Sequence, residues 1–161
     1  KKKHVRAQVQ LAGLYFDGKG TKASLKKAAG WFKKAAATGN ADGQFGLASC
    51  LANDKKPDDD ELREATRLYR RAAEQGHAAA AMALGAVHAD GRGTAEDPVE
   101  AWAWYHVAVA RGLGAAARAR DRIAGQLSSE QLDAARQLSR RLDPRTARVT
   151  VTNRAQSVAG S

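Results

Sequence analysis

At 161 residues, 43% apolar but only 6% aromatic, the chain is long enough for one compact domain or one short solenoid whose core is dominated by alanine. No apolar run reaches the roughly eighteen residues of a membrane-spanning helix, which excludes a span, and the single Cys50 excludes an internal disulfide. The formal net charge is +10, distributed as +9 over residues 1–34, −4 over 35–117 and +5 over 118–161, so both ends are basic around a mildly acidic middle. A uniform nucleic-acid stripe would look different.

The chain opens on Lys1-Lys2-Lys3-His4, with neither an initiator Met nor an apolar run behind it, and so reads as trimmed. From there a repeat governs the sequence. Leu11, Leu47 and Leu84 are spaced by 36 and 37 residues, and Ala28, Ala65 and Ala101 keep the same beat. So do Ala35, Ala72 and Ala108, then Gly39, Gly76 and Gly112. Periods of this length signal stacked supersecondary units.

Each unit reads as two helices. The first unit, 5–40, has them at about 5–17 and 24–38, with Gly18-x-Gly20 after the first helix, where glycine takes the left-handed conformation that ends a helix. The second, 41–77, has them at about 41–53 and 60–75, with Asp54 and Lys56 standing where the glycines should be and a loop one residue longer. Its run Asp58-Asp59-Asp60-Glu61 lacks calcium-loop spacing and suits a helix N-terminus, where the helix dipole favours carboxylates. The third, 78–113, has them at about 78–90 and 97–111, with Gly91-x-Gly93 between. Asp97-Pro98-Val99-Glu100 reads as a capping box with proline at the first helical position.

Segment 114–142 reads as a terminal cap. Ala115 to Leu127 is helical, and its Arg118, Arg120 and Arg122 are too polar for an interior unit. Ser128 and Gln131 form a capping box for a last helix through Leu142, with Leu132, Ala135, Leu138 and Leu142 on one face. No comparable cap precedes residue 5, which leaves the first repeat open to a second copy. Residues 143–161 hold no helix period and are expected to be a flexible tail, with a strand over 148–152 as the alternative.

Chemistry is sought in vain. The two Gly-x-Gly loops follow helices and lack the rest of a phosphate-loop motif. His4, His77, His88 and His106 are dispersed and give no metal spacing. No nucleophile has a base beside it in the pattern, and Cys50 reads as a small buried hydrophobe. No enzyme, metal or cofactor is expected.

The residues Ala7, Leu11-Ala12, Tyr15, Gly18-x-Gly20, Ala28, Trp31-Phe32, Ala35-Ala36 and Gly39 resemble the Sel-one-like repeat (SLR), a relative of the tetratricopeptide repeat. Ala80, Leu84-Gly85, His88, Gly91-x-Gly93, Ala101, Trp104-Tyr105, Ala108 and Gly112 repeat the pattern, with His88 in place of Tyr. The second unit is degenerate: Gly43, Leu47-Ala48 and Leu51. The resemblance implies an all-α, right-handed α/α superhelical solenoid over 1–142, with Leu11, Tyr15, Trp31, Leu47, Leu51, Leu84 and Trp104 holding the stack. It also implies an adaptor or regulatory module, commonly bacterial and often exported. The expected setting is therefore the periplasm or envelope, with the cytoplasm as the alternative.

If the helices sit as in tetratricopeptide repeats, a concave groove is lined by Arg6, Val9, Gly13, Phe16 and Asp17, then Asp42, Phe45, Ser49 and Asn53. Ala79, Met82, Ala86 and Asp90 follow, and the cap adds Arg118 and Arg122. Phe16, Phe45 and Met82 suit an extended or helical partner segment laid in a groove; alternatively they pack on neighbouring helices or lie under the tail. Lys22, Lys26, Lys27, Lys33 and Lys34 form a basic patch for an acidic partner or anionic surface, or else a solvated helix face. No aromatic platform interleaves with them, so nucleic acid is the weaker partner. Three functions stand: a protein-docking adaptor or scaffold, an envelope protein associating with a polyanion or glycan, and a structural spacer of a larger protein.

Overall fold

The computed structural model describes residues 2–149, whose regular elements are all helices. Six helices form three hairpins: α1 (Lys2–Asp17) with α2 (Leu25–Ala36), α3 (Ala41–Ala52) with α4 (Asp59–Glu74), and α5 (Ala78–Asp90) with α6 (Pro98–Ala110). Helices α7 (Ala116–Ala124) and α8 (Ser129–Leu142) close the C-terminal end against α6. Each hairpin touches the next through its second helix, α2 on α3 and α4 on α5, which is the arrangement of a solenoid.

Local chemistry sets the boundaries. Ser24, Asn40, Asp58, His77, Asp97 and Ser128 each accept a backbone N–H three residues on, satisfying one of the orphan donors of a first turn. The box expected at Asp97 is only half made. Glu100 N–H donates to Asp97, but the Glu100 carboxylate turns inward to accept the Trp104 indole N–H at 2.8 Å. A full box instead closes the acidic run, with Asp58 and Glu61 reciprocally bonded. Gly91 ends α5 at φ 66°, in the left-handed region that glycine enters without cost. In the degenerate second unit Asn53 ends α3 at φ −104°, its side-chain amide donating to the Ser49 carbonyl at 2.8 Å, so no left-handed residue is needed there.

The apolar interior divides in two. A large cluster spans the second and third hairpins and the cap, and includes Leu68, Tyr69, Leu84, Trp104, Val107 and Ile123. A small one holds the first hairpin to α3 through Ala12, Ala28, Phe32 and Cys50, joined by Leu47. Alanines form most of the contact: Ala12, Ala28, Ala35, Ala48, Ala72, Ala80, Ala101 and Ala108 are fully covered. Where helices approach still closer, glycine replaces alanine; a Cβ on Gly85 would sit 2.6 Å from the Tyr105 ring.

Three expectations change. Leu84 and Trp104 are buried as stack residues, but Leu11, Tyr15, Trp31, Leu47 and Leu51 are only half-covered. Arg120 is buried rather than a polar backing for the cap. Its NH1 lies 3.3 Å from Nδ1 of His106, and its guanidinium also pairs with Asp121. The flexible tail does not begin at 143. Asp143 and Thr146 are buried, Asp143 Oδ2 lies 2.7 Å from Arg111 Nε, and Thr146 starts a further helical turn that includes Arg148. The Arg111 N–H does not point along that contact, which makes it a charge pairing rather than an aligned hydrogen bond. The remainder of the tail and of the alternative strand, 150–161, lies outside the described residues.

Candidate functional site

The first helices carry the expected groove residues in register, and the structure brings only some of them together. Arg6 and Val9 of α1 and Asp42 of α3 share an open groove of about 1130 Å³, which also takes in Val5, Gln8, Lys34, Thr38 and Asn40. Its floor is the half-buried Val5 and Val9, and its rim carries the cations Arg6 and Lys34. The groove lies where the first turn of α3 passes the first half of α1.

Phe16, Phe45 and Met82 do not form one exposed stripe. Each is half-buried, with Phe16 packed on the small cluster and Phe45 and Met82 on the large one. The Phe45 ring stacks on His77 with centroids 4.5 Å apart and meets Tyr69 at 5.8 Å. Ser49 accepts the Tyr69 hydroxyl at 3.3 Å, and Asn53 closes its own helix, so both serve local structure. Gly13, Ala79 and Ala86 are half-buried, while Asp90, Arg118 and Arg122 are exposed on the third hairpin and the cap. Asp17 is paired with Lys19 at 3.0 Å.

His77, absent from the expected site, lies against two of its residues, Asp42 and Phe45. Its Nδ1 accepts the Ala80 N–H at 3.1 Å, which caps α5, and its Nε2 faces Asp42 Oδ1 at 3.4 Å. That geometry requires the neutral ring with its proton on Nε2. Burial holds the His77 pKa below its ordinary value, against the pull of Asp42. The signal that marks it is register: Asn40 and His77 are 37 residues apart and cap successive first helices.

The lysines expected to form a basic patch lie on α2 and in the turn before it. Lys22, Lys26, Lys27, Lys33 and Lys34 are all exposed, and none forms an ion pair among the described residues. Lys27 stands 5.1 Å from the Tyr15 centroid and Lys34 stands 4.1 Å from that of Trp31. Two other ionisable clusters are internal. His88, buried where the repeat has Tyr, meets Arg70 at 3.4 Å and Glu100 at 3.9 Å. His106 lies between Trp102, Arg120 and Thr146, and its pKa falls to about 4 through burial and the Arg120 charge. Cys50 is buried, which pushes its thiol up to about 11. No group of three or more metal-ligating side chains occurs among the described residues, and no helix there is long and apolar enough to cross a membrane.

Comparison with known proteins agrees with this architecture. The Sel1 repeat model matches residues 5–40, 41–77 and 78–113. The crystal structure of c5321, a protective antigen present in uropathogenic Escherichia coli strains and displaying an SLR fold, is 33% identical with a TM-score of 0.80. That match covers 94% of this chain and 32% of the other. A Sel1 repeat protein from Oxalobacter formigenes is 34% identical with a TM-score of 0.61, over 71% of this chain and 47% of that one. The chain thus spans about a third and about half of these two proteins. No curated protein matches it. Three registered repeats, their helical hairpins and these likenesses place the chain in the Sel1 repeat family.

Proposed function

We propose that the protein is a docking module that holds a segment of a partner protein in the groove between α1 and α3. The observation that carries this reading is the groove itself. It has an apolar floor at Val5 and Val9, a cationic rim at Arg6 and Lys34, and amide and hydroxyl groups at Asn40 and Thr38 able to fix a backbone. Phe45 and His77 stack on each other outside its lining, with His77 facing Asp42, and act as support rather than as anchors. A segment with alternating apolar and acidic side chains fits this lining, with the charged rim setting register. Because Sel-one-like repeats are often exported, the bacterial envelope or periplasm is the proposed setting, tested by fractionating cells that express the full-length protein.

Affinity capture tests the groove. Wild-type protein is compared with an Arg6→Glu, Val9→Glu variant shown by circular dichroism to be folded, and any partner is then rebound as a purified protein. A partner that binds wild type directly and is lost by the variant supports the reading; equal binding to both refutes it.

A second reading is association with an anionic polymer through Lys22, Lys26, Lys27 and Lys33, and it is favoured by their exposure without acidic partners among the described residues. Such binding weakens steeply with added salt, whereas docking on Val5 and Val9 does not.

A further inference from the structure

The groove between α1 and α3 has a filled counterpart one period along the chain. Phe45 stands 36 residues beyond Val9, His77 stands 37 beyond Asn40, and Asp42 stands 36 beyond Arg6. At the second junction these three positions interlock. The Phe45 ring stacks on His77 at 4.5 Å, and His77 turns Nε2 toward Asp42 Oδ1 at 3.4 Å. The register holds in space as well as in sequence. Phe45 meets Tyr69, and Val9 packs on the cluster around Phe32, the counterpart of Tyr69. At the third junction Met82 and Leu113 take the places of Phe45 and His77, and both pack on the large cluster.

At the first junction the same positions leave space. Val9 and Asn40 put an isopropyl group and an amide where the next junction has a phenyl and an imidazole, and both line the open groove. In α3 these positions face the following hairpin, through His77 and Tyr69. The opening therefore follows from side-chain size at a junction between two described hairpins.

A polar pairing is missing there too. Asn40 caps α3 through Oδ1 as His77 caps α5 through Nδ1, and each keeps an N–H to donate. His77 faces the Asp42 carboxylate, but the counterpart of Asp42 is Arg6, which can only donate. Lys34 adds a second cation to the lining. Compared with the filled junction, the groove thus lacks one ring and one carboxylate. Its cations also favour the face of an aromatic ring over an aliphatic side chain.

We propose that the partner segment supplies both, seating an aromatic side chain against Val9 and Asn40 and a neighbouring carboxylate on Arg6. This occupant presupposes docking in the groove and specifies the motif recognised there, an aromatic residue flanked by acid.

The probe is the capped tripeptide acetyl-Asp-Phe-Asp-amide, titrated into isotope-labelled protein and followed by NMR. Control peptides replace Phe by Leu or Ala, or both Asp by Asn. The Phe peptide is expected to move the methyl signals of Val5 and Val9 upfield, as the ring current of a seated phenyl does. It should bind more tightly than the Leu peptide and about tenfold more tightly than the Ala peptide, through buried apolar area. Over the Asn peptide the gain should be roughly three- to fivefold, as an exposed ion pair permits. Val9→Phe with Asn40→His copies the second junction and should erase the advantage of the Phe peptide. Arg6→Gln, at an exposed position, should erase the advantage of Asp over Asn and keep the upfield shift. Circular dichroism verifies that both variants fold. A Leu or Ala peptide that binds as tightly as the Phe peptide overturns the proposal, as does a Phe peptide held equally by the refilled variant. So does the absence of any shift at Val5 and Val9. Self-association that the refilled variant loses would give the groove to a second copy and overturn it as well. Docking in the groove fails separately, when a captured partner binds the Arg6→Glu, Val9→Glu variant as it binds wild type.

Discussion

Lowering the pH from 7 to 4.5 should destabilise the protein through one residue above all, His106. Its ring is 2% exposed, stacked on Trp102 at 4.6 Å, with Nε2 directed at the Thr146 carbonyl and Nδ1 facing the Arg120 guanidinium. A proton on Nδ1 would set imidazolium against guanidinium inside the core, so burial and Arg120 hold the folded pKa at about 4. The unfolded ring titrates at about 6.5. Above that value both states are neutral and the stabilisation is complete. Below it the unfolded chain takes up a proton that the folded chain refuses, and stability falls until the pH reaches about 4. At pH 4.5 the linkage integral gives a loss of about 2 to 3 kcal/mol. Domains of this kind have stabilities of about 5–15 kcal/mol, so the loss is a large fraction of the whole.

Urea unfolding followed by circular dichroism at the two pH values measures it. The difference between them should shrink by about 2 to 3 kcal/mol in His106→Gln. The pH dependence from His77, His88 and the carboxylates is common to both proteins and cancels. A His106 ring proton that titrates near 6.5 by NMR, or a pH dependence unchanged in the variant, refutes the argument.

Other consequences are open to direct measurement. Trp104→Ala should cost about 3–5 kcal/mol as a buried cavity, whereas Trp31→Ala, half-covered and under Lys34, should cost less than half as much in the same denaturant titration. Gly85→Ala forces a methyl group against the Tyr105 ring and should destabilise by about 1–3 kcal/mol, while the corresponding Ala48→Gly change should act only through lost burial and helix propensity. Asp143→Ala leaves Arg111 without its partner, with an expected cost of about 3 kcal/mol and faster amide exchange at Ala147 and Arg148. Cys50 should resist a thiol reagent in the native protein at neutral pH and react at once in urea.

The solenoid was legible because its causes are local and recur. Helix caps, turn glycines and small stacking residues each answer to neighbours within one unit or one period, so a beat of 36 or 37 residues exposes them. What escaped depends on contacts without a period. Arg120 and Thr146 meet at His106 across 14 and 40 residues, and each is unremarkable in its own segment. The capping pattern at Asp97 does not show that an indole four residues past Glu100 competes for its carboxylate. Asp42, Phe45 and Val9 were placed on the first helices as expected, yet the sequence did not show that Phe45 would lean on His77 while Val9 remained beside open space.

The division of the interior into a large and a small cluster gives the first hairpin a thermodynamics of its own. The cluster around Ala12, Ala28, Phe32 and Cys50 that holds it is much smaller than the one behind it, so it opens at a lower free energy than the hairpins there. A partner segment seated in the groove between α1 and α3 would raise that opening energy in proportion to occupancy. Recognition at this end and the order of α1 are then one equilibrium: a partner is detected as a slowing of amide exchange there, while the cap end, held by Arg111 and Asp143, stays the same.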